Sequence, residues 1–473
     1  MATNYRRVAE RWLREDGEFT VKVGGRDVDS LRYWNGEFWW WVRGEGYRML
    51  DGQHVRRSAS VWLDDRGYDV SSRVVNELVS AARDLRVVGS DVDLPSWVGE
   101  PGKGPEDAYD WIAMRNGVLS LSTLMRTGGC ILRENTPEWF SPSILGYDFE
   151  PGAGCPEWEG FLGSIFQGDQ QRLDLLQECF GYLLSGAQVL DAIVMLVGPP
   201  RSGKSTICRA LVRLVGHSNT VNPTLTSLGG GFGLWPLIGK SVAICPDAHL
   251  GMPERATRIM ESLKSISGGD EQLIQRKYLP PAMVKLRTRF LLATNEMPAF
   301  EEASTAFSSR VALIPLTKSF VGMEDRKLNG RLARERAGIF NWALRGLERL
   351  ISRGHLTETD MGGQYLSQYS RVTSPMAGFF EDCCVIAPGL LITKRALWDT
   401  WCVWCKRYGV ERGGHPAFSM RLHEKVAGLK HFRPRAVDVR TQDPNPLGST
   451  DRGSRPWVWS GLQLRVPSAL DLS

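Results

Sequence analysis

What this 473-residue chain lacks narrows it first. No apolar run approaches the ~18 residues that a membrane-spanning helix needs. No apolar signal core stands behind Met1-Ala2-Thr3-Asn4-Tyr5-Arg6-Arg7, so a cytoplasmic location is expected. The nine cysteines are odd in number and build no repeating framework, which argues against a disulfide scaffold. Cys155, Cys179, Cys208, Cys245, Cys402 and Cys405 stand in apolar or helical contexts, where a reduced thiol packs well. Internal repeats and low-complexity tracts are missing too. Neither charge sign dominates: the net charge of +5 suits a polyanionic partner without demanding one. The 42% hydrophobic content is ordinary for a globular core, and the length leaves room for two to four domains.

What is present centres on Gly198-Pro199-Pro200-Arg201-Ser202-Gly203-Lys204-Ser205-Thr206. An apolar run, Ile193 to Val197, precedes it and a helical pattern, Ile207 to Val212, follows. Strand, glycine-rich turn and helix in that order, with G-x-x-x-x-G-K-S spacing, predict a phosphate-binding loop. The glycines let main-chain N–H groups close around a polyphosphate, and the helix N-terminus adds its positive dipole end. Lys204 can reach the β- and γ-phosphates, and the Ser205 hydroxyl can hold Mg²⁺. The expected ligands are a nucleoside triphosphate and Mg²⁺.

Ser241 to Cys245 reads as a buried strand ending in Pro246-Asp247. A carboxylate there can hold Mg²⁺ through water. Which acid polarises the attacking water stays open among Asp247, Glu254 and Glu261. Arg287 to Asn295 reads as a further strand with a polar tip, where Asn295 can contact the γ-phosphate or orient water. Arg310 precedes the apolar run Val311 to Pro315 and could serve a neighbouring subunit's nucleotide as an arginine finger. Between these lie two extended runs flanking Pro280-Pro281-Ala282, read as a β-hairpin turning there. Arg276, Lys277, Tyr278, Lys285 and Arg287 decorate it. A basic hairpin bearing an aromatic suits a phosphate backbone, and it is read so in preference to a solvated charged surface.

Other features have plainer readings. Leu31 to Val42 is a tryptophan-rich hairpin with an Asn35-Gly36 turn, read as the core of a small sheet in preference to a base-stacking surface. Cys402-x-x-Cys405 falls within the helical spacing of Leu397, Trp401, Trp404 and Tyr408, and is read as packing in preference to a metal site. Asp91-Val92-Asp93 has the form of a primase metal site but runs at once into a Pro/Gly-rich loop. Gly362-Gly363 and Pro375 are read as a loop at a domain boundary. From residue 374 onward, fourteen Lys and Arg stand against nine Asp and Glu.

The order of phosphate loop, acidic strand, Gly268-Gly269-Asp270, Arg276-Lys277-Tyr278, Ala293-Thr294-Asn295 and Arg310 resembles superfamily 3 helicases. More narrowly, it resembles the helicase part of phage/plasmid and poxvirus-type primase-helicases. Asn116-Gly117-Val118-Leu119, Cys155 to Tyr182 and Glu335 to Leu344 resemble flanking segments of that family.

The resemblance implies an α/β fold: an AAA+-type P-loop core with an N-terminal mixed α/β accessory region and a C-terminal winged-helix-like domain. The expected divisions are an accessory domain at 1–150, a helical lead-in at 151–190, the core at 191–355 and the C-terminal domain at 370–473. The implied activity is ATP-driven 3′→5′ translocation on single-stranded and forked DNA by a homo-oligomer, a hexamer, replicating a phage, satellite or plasmid. Lys204, Ser205, Asp247 and Asn295 would come from one subunit and Arg310 from the next, while Arg276, Lys277 and Tyr278 would contact DNA. Relatives commonly carry Glu where Pro246-Asp247 stands, and the N-terminal region is too short for a polymerising primase, so priming would come from a separate primase or not at all. The alternatives are an origin-melting initiator and a DNA-independent, nucleotide-switched assembly ATPase.

Overall fold

The computed structural model describes residues 4–89, 92, 94–98, 108–127, 132–186, 190–248, 253–296, 309–373, 375–426, 429–432 and 457–465. Asp91, Asp93 and His249 lie outside them, as does the side chain of Glu254. The chain divides into two compact units, Met1–Pro298 with Arg310–Thr359, and Asp360–Ser473 with Ala299–Ser309.

The first unit begins with a helix, Tyr5–Glu15, whose N-cap Asn4 accepts a hydrogen bond from the Arg7 N–H. Trp12 and Leu13 on its inner face meet Phe38 of a three-stranded antiparallel sheet and Trp62 and Leu78 of two further helices, Gly52–Asp64 and Ser72–Arg86. The sheet's first two strands, Leu31–Trp34 and Glu37–Val42, turn at Asn35 and Gly36. Both have positive φ (54° and 91°), as a two-residue hairpin turn of this hand requires. Trp34, Trp39 and Tyr47 meet Phe140 edge-on in a buried cluster, so the tryptophan run is core.

Two helices, α1 (Pro156–Phe166) and α2 (Gln170–Leu184), lead into a five-stranded sheet. Pro156 opens α1, where its missing N–H costs nothing. The sheet's strands in chain order are β1 (Ile193–Val197), β2 (Thr220–Val221), β3 (Val242–Cys245), β4 (Arg289–Thr294) and β5 (Val311–Pro315). They lie in the order β2-β3-β4-β1-β5, all parallel. Strands covered on both faces need continuous apolar runs, which Ile193–Val197 and Val242–Cys245 supply. The register sets Val197 opposite Thr294 and Pro315, and Cys245 opposite Leu292, so the carboxyl ends of four strands share one edge.

Helix α3 (Lys204–Val215) follows β1, α4 (Pro253–Ser267) follows β3, and α5 (Arg336–Arg353) follows the sheet. Helices α2 and α5 meet at main-chain distance. A Cβ on Gly346 would stand 2.3 Å from the Gln177 carbonyl oxygen, and one on Gly181 2.6 Å from that of Ala343. Glu178, completely buried between them, pairs with Arg349 (2.6 Å) and Arg353 (2.7 Å) and accepts the Thr357 N–H.

The second unit carries helices Asp360–Thr373, Pro375–Cys383, Lys394–Tyr408 and His415–Lys425. Its three-stranded antiparallel sheet sets Val458–Leu464 between Cys384–Thr393 and Lys430–Phe432. Phe379, Trp401, Trp404, Phe418 and Trp459 fill its core, and Cys405 packs among them. Gly362 and Gly363 lie inside a helix, not a loop. The chain over Phe379–Ile386 turns from helix to strand at Cys384.

Candidate nucleotide site and basic hairpin

Parallel sheets bind ligands outside the carboxyl ends of their strands, where neighbouring connections diverge. Here that place is the end of β1, flanked by β4 and β5. The Gly198 N–H donates to the Thr294 carbonyl on one side (3.3 Å), and the Leu316 N–H donates to the Val197 carbonyl on the other (2.7 Å). A Cβ on Gly198 would stand 2.1 Å from the Leu316 oxygen, so only glycine fits.

The loop then turns through Arg201 (φ 61°) and Gly203 (φ 99°) into α3. Gly203 also packs under Ile165 of α1, whose Cδ1 would stand 2.7 Å from a Cβ there and would have to shift. Among the described residues, the first α3 main-chain donors with main-chain partners are the N–H groups of Thr206 and Ile207, both on the Gly203 oxygen. The preceding N–H groups are the unsatisfied first-turn donors that make a helix start an anion site. Ser205 is exposed, Thr206 half-buried and Ser202 buried.

Lys204 is only 8% exposed. Its ammonium donates to the carbonyl oxygens of Gly198 (2.5 Å) and Pro199 (2.8 Å) and lies 3.3 Å from the Ser202 hydroxyl. No carboxylate pairs with it among the described residues. Burial pushes its pKa below the ordinary lysine value. A buried cation on a cradle of neutral groups fits a polyphosphate.

Two expected partners stand on the same edge. Asn295 directly follows Thr294, whose carbonyl holds the loop; the Thr294 hydroxyl donates to the Glu296 carbonyl (2.6 Å) and fixes the turn. Asp247 is exposed two residues beyond β3, and the neighbouring Ala248 N–H ties that turn to the Ala293 carbonyl (2.9 Å). Arg310 is elsewhere. It precedes β5, and its carbonyl accepts from the Ile193 N–H at the start of β1, the opposite edge of the sheet. Its guanidinium donates to the Lys264 carbonyl in the last turn of α4 (2.6 Å) and lies 4.0 Å from Asp191.

The hairpin forms, but not with the expected turn. Glu271–Arg276 pairs with Leu279–Lys285, and the turn is Lys277–Tyr278, with Tyr278 at φ 62°. Pro280 and Pro281 lie in the second strand, where a two-stranded ladder with a register shift at Ile274/Arg276 tolerates a missing N–H. Tyr278 is wholly exposed, and the Lys277 ammonium lies 5.9 Å from the ring of Phe232. Arg276 is committed elsewhere: it donates to the Pro280 carbonyl and to both oxygens of Asn35.

Sequence reading missed several supports. Arg172, buried in α2, donates to the Pro315 carbonyl at the end of β5 (2.9 Å) and pairs with its N-cap, Asp169. Phe232 was passed over in its run of glycines. A cavity of about 330 Å³ between Tyr182, Ser241, Lys285 and Trp139 lies at the amino ends of β3 and β4, away from the phosphate loop.

Among curated proteins, none matches this chain. The chain is similar to solved structures of the NrS-1 C-terminal region, at 12% identity and a TM-score of 0.48 over 75% of each chain, and at 11% and 0.44 over 72% of each. Residues 196–310, which hold the glycine-rich loop before α3 and the hairpin, match a family of unknown function, DUF5906. Residues 5–167, which run from the first helix through α1, match the family described as D5 N terminal like.

Proposed function

We propose that this chain is an ATP-driven, superfamily 3-type DNA helicase acting in the replication of a phage or other mobile element. The observation that carries this reading is the buried Lys204 on its carbonyl cradle at the end of β1, with Asn295 and the Asp247 turn on the same edge. ATP is the substrate. Its β- and γ-phosphates would take the free N–H groups at the start of α3 and the Lys204 ammonium. Ser205 and Asp247 would hold Mg²⁺, which supplies charge neutralisation on the phosphates. Asn295 would orient the attacking water. The exposed Lys277–Tyr278 tip would meet single-stranded DNA, and the match of residues 5–167 to the D5 N-terminal-like family supports a replication role.

Arg310 lies too far along the sheet to serve its own subunit's phosphate loop, so a role for it in hydrolysis requires a neighbouring copy in a ring. In the second unit, from Pro375 onward, the order helix, strand, two helices and two strands supports a winged-helix-like DNA-binding module.

ATP hydrolysis with and without single-stranded DNA, beside Lys204→Ala, tests the reading. DNA-stimulated turnover that the variant loses supports it. Turnover that depends on Lys204 but ignores DNA would transfer the assignment to a nucleotide-switched assembly ATPase, a reading favoured by the engagement of Arg276 within the protein.

A further inference from the structure

The hairpin Glu271–Lys285 is two-stranded, and two strands alone are marginal in water. Something else must hold its tip. Arg276, the last residue before the tip, uses its guanidinium in two directions. Nε and Nη2 donate to the Pro280 carbonyl across the turn (3.0 and 2.8 Å). Nη1 donates to the main-chain and side-chain oxygens of Asn35 (2.7 and 3.1 Å). Gly36 lies flat against it: a Cβ there would stand 3.3 Å from Nη1. A guanidinium so divided has little left for a phosphate, whereas Lys277 and Tyr278 point to solvent. Only a planar fork can reach both carbonyl sets at once.

Resting on the helicase reading, we infer that Arg276 and Asn35 are positioning residues: the Asn35–Gly36 turn holds the Lys277–Tyr278 tip, so the N-terminal part of the chain sets how that tip meets single-stranded DNA. Neither residue touches DNA itself. The chain's own tryptophan-rich sheet is thus the fixed point of the DNA-contacting element.

Amide hydrogen exchange on the full chain without DNA tests the tether alone. In Arg276→Lys, which keeps the charge but loses the fork, exchange of the ladder amides of Glu271–Arg276 and Leu279–Lys285 should rise about tenfold or more, with a smaller rise in Asn35→Gly and none in β1 or β4. Unchanged exchange along the hairpin ladder in Arg276→Lys would overturn the tether.

Titration of an oligothymidine over a salt series tests its consequence. Arg276→Lys should weaken binding as much as Arg276→Ala, and neither should change the salt slope. Full rescue by lysine, or a slope lowered by about 0.7 in the alanine variant, as expected for one lost phosphate contact on a single strand, would make Arg276 a DNA ligand and refute the proposal. If the wild-type chain fails to bind the oligonucleotide, the helicase reading falls, while the exchange result still decides the tether.

Discussion

Arg276 reaches across 241 residues of sequence to hold both oxygens of Asn35, joining the turns of two separate hairpins. The basic tip left to face solvent is then Lys277 with Tyr278. Lys277→Ala should lower the salt slope of single-stranded DNA binding by about 0.7 and keep DNA-independent turnover. Tyr278→Ala should weaken binding by about 1–3 kcal/mol with the slope unchanged, because a stacked base is lost and not a phosphate contact. Filter binding over a range of salt concentrations measures both.

Lys204→Ala should abolish ATP hydrolysis. The fold should survive, because the lysine's partners in the protein are loop carbonyls and a hydroxyl that water can satisfy. Normal turnover in this variant, with an unchanged circular dichroism spectrum, would remove the phosphate loop from the mechanism.

Arg310→Ala is expected to lose hydrolysis by about 10³-fold or more while binding nucleotide near normally, if the arginine works on a neighbour's site. Mixing it with Lys204→Ala should give activities that do not average, because hybrid rings pair an intact loop with an intact arginine at some interfaces. A stability loss with unchanged turnover per folded molecule would instead confine Arg310 to capping α4 through the Lys264 carbonyl.

Glu178→Ala should destabilise the first unit by about 3–5 kcal/mol, since it strips the shared partner from Arg349 and Arg353 inside the α2–α5 contact. Urea denaturation reads this. A change below about 1 kcal/mol would mean that water replaces the carboxylate.

Burial pushes the thiols of Cys155, Cys208 and Cys245 up to about 12 and that of Cys405 up to about 11. A thiol that titrates higher folded than unfolded contributes stability that is present in full below the ordinary thiol value and is lost as pH rises through the folded one. Stability should therefore fall progressively between about pH 9 and 12. Alkylation at pH 8 should spare these four and, among the cysteines of the described residues, take Cys402 first. Rapid native labelling of Cys208 would contradict its place in α3.

The glycine-rich turn from β1 into α3 was legible because each of its glycines answers a local demand, Gly198 a close approach and Gly203 a left-handed turn into a helix. The parallel strands were legible from unbroken apolar runs. The hairpin was legible but its turn was not: Pro280-Pro281 is the stronger turn signal on paper, while the real turn needs Tyr278 in a conformation that its side chain does not advertise. The Gly362-Gly363 pair misled in the same way, because tertiary packing outweighs the cost of glycine in a helix. The tie between Arg276 and Asn35 and the support from Arg172 to Pro315 had no local trace. Both depend on which distant carbonyl the fold brings within reach.

The chain enters the parallel sheet along α2 and leaves it along α5, and these two helices lie against each other with glycines at the contact. The sheet, the phosphate loop and the hairpin are therefore strung on a loop closed at its base, like a bead held by a clasp. A clasped insert of this kind is a natural unit for transplantation: residues from α1 through α5 could be exchanged between relatives as a cassette. The graft would keep its sheet and glycine-rich loop, and its hairpin would be steadied only if the recipient also supplied the turn at Asn35.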